Sequence, residues 1–228
     1  MAILPPPPPP PPPPPKSIFP PASPPSQLSS LKPIPEPDIP ATGPPGFVEI
    51  SLLVYNGYPF ANHWEYFVAS PHDRDAGVVV QAAGDVRAGF WLEVKRGVNL
   101  RLAENRVEER VRLGWVAADL FAGGSSEDGE DNLGMEVVFG LGKDGMVTKG
   151  EVVVERTPRC EFEKMLFKVP APEKTLRAVG DGGGQVERRT RIMQRNCQTW
   201  VIESAEFLVR EGLFEQGAVD YLRARTQC

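Results

Sequence analysis

The sequence predicts an α+β domain, an antiparallel sheet of about five strands packed against helices, over residues 47–228, behind a disordered proline-rich tail at residues 1–46. Three observations carry this reading. Five runs rich in apolar and β-branched residues follow one another between Phe47 and Val116 with short links, as antiparallel neighbours do. Helical spacing enters only in the second half of the chain. Finally, 21 of the 26 prolines precede Phe47, so the two regions differ sharply in composition.

Each element has its own signal. Phe47–Tyr55 is a mostly apolar run closed by the turn residues Asn56 to Pro59, and His63–Ala69 is the second strand. After the polar stretch from Ser70 to Gly77, Gly77–Ala82 reads as the third strand and Gly89–Lys95 as the fourth. Val107–Val116 supplies a fifth, and together they form an antiparallel meander. Residues 123–134 are acidic and glycine-rich and read as an exposed loop. Met135 to Val154 is open between helix and strand, because glycines interrupt every apolar run. Pro158–Val169 has helical spacing through Phe162, Met165 and Leu166, and Pro172–Arg177 reads as a short helix with proline in its first turn. The strongest helix starts near Asn196, carries Val201, Ala205 and Leu208 on one stripe, and stops at Gly212. Gln216–Ala224 is the last helix, with Val219 and Leu222 on its buried side.

Composition excludes several function classes. The tail carries two positive and two negative charges, so the whole net charge of −5 belongs to the domain. A mildly acidic domain argues against nucleic acid as the main partner, since phosphate binding needs a basic face. No stretch approaches the roughly 20 apolar residues of a membrane span. No basic start leads into an apolar signal region, and neither a myristoylation nor a prenylation signal is present, so the expected setting is cytoplasmic. Two histidines and three cysteines without a CxxC pair or an HExxH helix leave no metal motif, and no cofactor is expected.

The chemistry centres on Cys197. Asn196 before it is a good helix N-cap, which places the sulfur in the first turn. Unpaired N–H groups and the positive end of the helix dipole favour a thiolate there. The arginines Arg188, Arg189, Arg191 and Arg195 add positive potential or form a solvated face. A thiolate nucleophile needs a base, and His63 on the second strand is the better of the two histidines. A third group is expected to fix the ring by accepting the Nδ1 proton, and Gln81 on the third strand can do so. The Cys197 backbone N–H would supply one oxyanion donor, with Asn196 and Gln198 forming the cap and oxyanion region. The plainer assignments are His72 solvated in a polar turn, Cys160 structural on a helix, Cys228 exposed, and all four tryptophans in the core.

The blocks His63-Trp64-Glu65-Tyr66-Phe67-Val68, Val79-Val80-Gln81 and Asn196-Cys197-Gln198-Thr199-Trp200-Val201 occur in an order that resembles the circularly permuted NlpC/P60 papain-like superfamily. Within it, the pattern is similar to the lecithin:retinol acyltransferase-like proteins, and it resembles uncharacterised fungal proteins with the same HW and NCQTWV blocks. The resemblance implies a circularly permuted papain-like arrangement with Cys197 as nucleophile, His63 as base and Gln81 as the third residue. It implies a covalent acyl-enzyme formed from a peptide or acyl substrate with an amide, thioester or ester bond. Gln81 and Thr199 depart from the acyltransferase-like pattern, which usually has histidine at both positions. The alternative is a catalytically inactive papain-like interaction domain. In either case the run Pro5–Pro15 favours polyproline II and is a candidate ligand for profilin, SH3 or WW surfaces.

Overall fold

The computed structural model describes residues 34–58, 61–102, 107–122, 135–140, 152–174 and 195–226. The strands are Phe47–Tyr55 (β1), His63–Ala69 (β2), Ala76–Asp85 (β3), Gly89–Asn99 (β4), Glu109–Ala117 (β5) and Val153–Glu155 (β6). They form one antiparallel sheet in the order β5-β1-β2-β3-β4-β6. Among the described residues four α-helices accompany it: Met135–Phe139 (α1), Glu161–Phe167 (α2), Cys197–Arg210 (α3) and Gln216–Arg225 (α4). The α+β class with an antiparallel sheet is therefore the observed one, with six strands rather than about five.

Alternation along the strands decides what each face does. Ile50, Leu52 and Val54 of β1, Trp64, Tyr66 and Val68 of β2, and Val78, Val80 and Ala82 of β3 belong to the main core, with the helices packed against them. The opposite parity puts Leu53, Phe67 and Val79 into a smaller apolar cluster on the other face. That face is otherwise polar and includes His63, Glu65 and Gln81. A one-residue slip of β2 would exchange these two sets, so burial of Trp64 and Tyr66 fixes which side His63 occupies.

α3 is held by its apolar stripe. Trp200, Val201, Ala205 and Leu208 are fully buried. Each large side chain of that kind contributes about 1.5–3 kcal/mol, more than a helix cap supplies. The Tyr66 hydroxyl donates to Val201 O at 2.7 Å, and Trp200 Nε1 donates to Val169 O at 3.1 Å, which fixes the rotation of the helix over β2. At the C-terminal end, Gly212 has φ +74 and the Leu213 N–H reaches Leu208 O at 2.9 Å. A β-carbon is strained in that left-handed conformation, so glycine stops the helix where the sequence marks it.

Several local expectations are corrected. β1 through β4 form a meander, but β5 returns to pair with β1 instead of extending past β4. β6 lies in the glycine-broken stretch and pairs with β4 through Val94–Glu155 and its neighbours. Pro172, Glu173 and Lys174 are not helical; Pro172 O instead accepts the Phe90 N–H at 3.0 Å, holding this segment at the start of β4. Cys160 precedes α2 as its N-cap. Trp64 and Trp200 are core, but Trp91 is 39% exposed, and its ring lies under the Arg156 guanidinium. Residues 34–46 belong to the same compact unit as the sheet, with Trp115 Nε1 donating to Pro40 O at 3.0 Å. Pro5–Pro15, Arg188, Arg189, Arg191 and Cys228 lie outside the described residues.

A buried ion pair ties α2 to the sheet. Arg96 of β4 is 1% exposed, and its guanidinium forks onto both Glu163 carboxylate oxygens at 2.8 Å. It also donates to Val138 O at 2.6 Å and to Glu155 at 2.8 Å, so one side chain joins β4, β6, α1 and α2. Its charge is matched and four of its five N–H donors have these partners, which is the condition for a buried arginine to be tolerated.

Candidate active site

α3 begins at Cys197 because Asn196 caps it. Asn196 Oδ1 accepts the Thr199 N–H at 3.1 Å, and Thr199 Oγ1 accepts the Asn196 N–H at 3.3 Å. This reciprocal box satisfies two groups and leaves the Cys197 and Gln198 N–H groups in the first turn, with the sulfur at the positive end of the helix. Gln198 Nε2 donates to Asn62 O at 2.8 Å. That bond joins the residue before β2 to the residue after Cys197. Gln198 therefore helps position the helix, and its amide keeps a second N–H beyond the one that Asn62 O accepts.

The structure brings together the three residues singled out from the sequence. His63 Nδ1 lies 3.2 Å from Cys197 Sγ, and His63 Nε2 lies 2.6 Å from Gln81 Oε1. His63 opens β2, so its ring reaches the helix layer at the end of the strand. The ring nitrogens are used in the opposite sense to the expected one: Gln81 meets Nε2, and Nδ1 faces the sulfur. Gln81 Nε2 donates to Glu93 Oε1 at 2.7 Å, so its Oε1 is the atom turned to the ring. Glu93 is held in turn by Trp91 Nε1 at 2.9 Å. Gln81 Oε1 is acceptor-only, so Nε2 carries the ring proton, and Nδ1 is the nitrogen that can take or return a proton at sulfur.

Sequence reasoning passed over Glu65. Its carboxylate is 3% exposed, with Oε1 3.2 Å from His63 Nε2 and 3.0 Å from Lys95 Nζ. The signal was available: residues two apart on a strand share a face, so Glu65 lies beside His63. Glu93 was missed as well, and only the β3–β4 register, which pairs Gln81 with Glu93, places it.

Electrostatics follow from these contacts. Burial alone would push the His63 imidazole down; the Cys197 hydrogen bond and the Glu65 carboxylate outweigh it and hold it up at about 10. Burial would raise the Glu65 carboxyl, but the hydrogen bond from His63 and the charge of Lys95 hold it below its usual range. Cys160 has the opposite surroundings. Burial and the nearby Glu163 charge push its thiol up to about 12, which leaves it an unreactive packing residue. Arg195 pairs with Glu203, away from the sulfur, and His72 is exposed in its turn.

Cys197 itself is 8% exposed, and the His63 side chain beside it is 35% exposed. Among the described residues no group of three or more histidine, cysteine or acidic side chains could hold a metal ion. None of the described helices is long and apolar enough to cross a membrane.

Fold and site together define an α+β domain with a cysteine–histidine–glutamine chain of contacts at the N-terminus of a helix. The chain belongs to the family of unknown function DUF6540, whose profile matches residues 50–215 and so encloses His63, Gln81 and Cys197. No curated protein and no solved structure matches it.

Proposed function

We propose that the protein is a cysteine-dependent hydrolase or acyl transferase of circularly permuted papain-like arrangement, acting on an amide, thioester or ester through a covalent acyl-enzyme on Cys197. The observation that carries this reading is the continuous contact from Cys197 Sγ to His63 Nδ1 at 3.2 Å and from His63 Nε2 to Gln81 Oε1 at 2.6 Å. A buried thiol placed only for packing, as Cys160 is, needs no imidazole oriented by a third side chain.

The chemistry follows from the atoms in place. His63 Nδ1 takes the thiol proton, and the thiolate at the head of α3 attacks the carbonyl carbon. The carbonyl electron pair moves to oxygen, next to the Cys197 backbone N–H, which is the oxyanion donor at that position. Collapse of this intermediate breaks the bond to the leaving group, which takes the proton from His63 Nδ1 when it is an amine or alcohol and departs as a thiolate when it is a thiol, and leaves the acyl group on sulfur. Water or an acceptor, giving up its proton to His63 Nδ1 where the ring is free to take it, then attacks the acyl carbon; the carbon–sulfur bond breaks and the proton returns to sulfur. Gln81 keeps the ring in one orientation throughout, and Glu93 keeps Gln81 turned to it.

The test is labelling with an acyl-directed thiol probe such as an acyloxymethyl ketone. Wild type should be labelled at Cys197, whereas Cys197→Ala and His63→Ala should not, with all three showing the same far-UV circular dichroism. Equal labelling of wild type and Cys197→Ala would sink the proposal in favour of a catalytically inactive interaction domain.

A further inference from the structure

We propose that Glu65 is a positioning residue that holds His63 as an imidazolium and so directs the Cys197 site toward acyl donors whose leaving group departs as an anion, thioesters and activated esters, over amides. This rests on the reading of Cys197 as nucleophile and narrows its substrate class.

The argument begins with the groups around the ring. Cys197 Sγ meets Nδ1, and Gln81 Oε1 and Glu65 Oε1 share Nε2. The Tyr55 ring, on the paired residue of β1, lies 6.3 Å away at a tilt, and its hydroxyl faces Glu65. Glu93 stands one hydrogen bond further back, behind Gln81. Lys95 is the cation of this cluster, and its ammonium contacts Glu65. Gln81 is neutral: it can orient the ring but adds little preference for the charged form. Among the described residues Glu65 is the acidic side chain in direct contact with Nε2. An opposite charge at this distance favours the protonated ring, and the imidazole stands above its ordinary value, raised first by the Cys197 hydrogen bond and next by Glu65.

A tightly held proton has a chemical consequence. An amine leaving group must be protonated before its C–N bond breaks, and an imidazolium stabilised by a carboxylate is a reluctant general acid. A thiol has an ordinary pKa of about 8.5, so it can leave as the thiolate. The step balances without the His63 proton. The Cys197 thiolate adds to the carbonyl carbon and the carbonyl pair moves to oxygen. That pair then returns, the donor's C–S bond breaks, and its sulfur leaves with the bonding electrons. One thiolate is consumed and one is released, while His63 keeps its proton.

The experiment has two readouts on the full chain. Ring NMR titration reports His63 directly, and with only one other histidine the signals are assigned by His72→Asn. Glu65→Gln keeps the shape and removes the charge; the His63 midpoint should fall by about one to three pH units. Lys95→Met removes the competing cation and should move the midpoint the other way, which separates charge from damage to the fold. Acylation of Cys197, followed by intact mass, should favour the acetyl thioester of N-acetylcysteamine over acetyl p-nitroanilide in wild type. Glu65→Gln should narrow that preference by about tenfold, an effect of about 1.4 kcal/mol. An unmoved His63 midpoint in Glu65→Gln, or equal thioester and anilide rates in wild type, overturns the proposal. Absence of a Cys197 adduct from both donors overturns the acyl-enzyme reading itself, and the titration then still decides whether Glu65 holds the charge on His63.

Discussion

His63 Nδ1 lies 3.2 Å from Cys197 Sγ although 134 positions separate them in the chain. Two features make that possible: the Asn196–Thr199 capping box, which sets where α3 starts, and the Gln198–Asn62 bond, which ties that start to β2. The site is therefore a junction between one strand end and one helix end, and each part of the junction can be removed separately.

Removing the cap should loosen the junction without emptying it. Asn196→Ala is expected to cost about 1 kcal/mol in urea unfolding, the usual value of a lost N-cap. It should also slow probe labelling of Cys197, because the first turn no longer holds the sulfur in place. Asn196→Asp should restore most of both, since a carboxylate accepts the same N–H.

Gln81 makes one short bond to the ring through an oxygen that Glu93 aims. Gln81→Ala should slow Cys197 acylation by roughly tenfold, the rate equivalent of a hydrogen bond worth about 1–1.5 kcal/mol. Global stability should change little, because Glu65 still contacts Nε2. A stopped-flow comparison of wild type and Gln81→Ala with one thioester donor gives the ratio.

Stability should depend on pH through His63. Its imidazole is held at about 10 in the folded chain, against about 6.5 when unfolded. The contribution is therefore fully present below about pH 6.5 and is lost as pH rises toward 10. The difference in urea midpoint between wild type and His63→Asn should be largest near pH 6 and shrink by about pH 10. A gap that widens with rising pH would reverse the assigned sign.

The Arg96–Glu163 fork gives a stability test that leaves the chemistry alone. Arg96→Met strands a buried carboxylate and should cost about 3–5 kcal/mol, with an unchanged slope in urea. Replacing both residues, as Arg96→Met with Glu163→Leu, should recover much of that loss, since an apolar pair carries no desolvation penalty.

Much of the sheet was legible because it rests on local signals. The mostly apolar run Phe47–Tyr55 and the run His63–Ala69 read as two strands, and the structure has strands at those residues. The cap at Asn196 and the stop at Gly212 bound α3 at both ends. What was not legible depends on contacts distant in sequence. β6 has only three residues, and the Arg96–Glu155 bond helps hold it against β4. Trp91 has an apolar ring but lies outside because Glu93 and Arg156 engage it there. At the site, the residue types that make up a cysteine–histidine pair could be read from the sequence. Which ring nitrogen faces sulfur could not, because it depends on where Gln81 and Glu65 sit across two strands. Glu65 was overlooked because a charged residue beside Trp64 and Tyr66 reads as an ordinary solvent-facing strand position.

The most direct measurement is the intact mass of the protein after brief exposure to a thioester acyl donor. Wild type should gain a single acyl group that peptide mapping places on Cys197. Cys197→Ala should gain none, and His63→Ala should gain it at least about a hundredfold more slowly, because the group that takes the sulfur's proton and leaves it a thiolate is gone. An acyl adduct of equal yield on Cys197→Ala, or an unchanged rate in His63→Ala, would contradict the assignment of Cys197 and His63 as nucleophile and base.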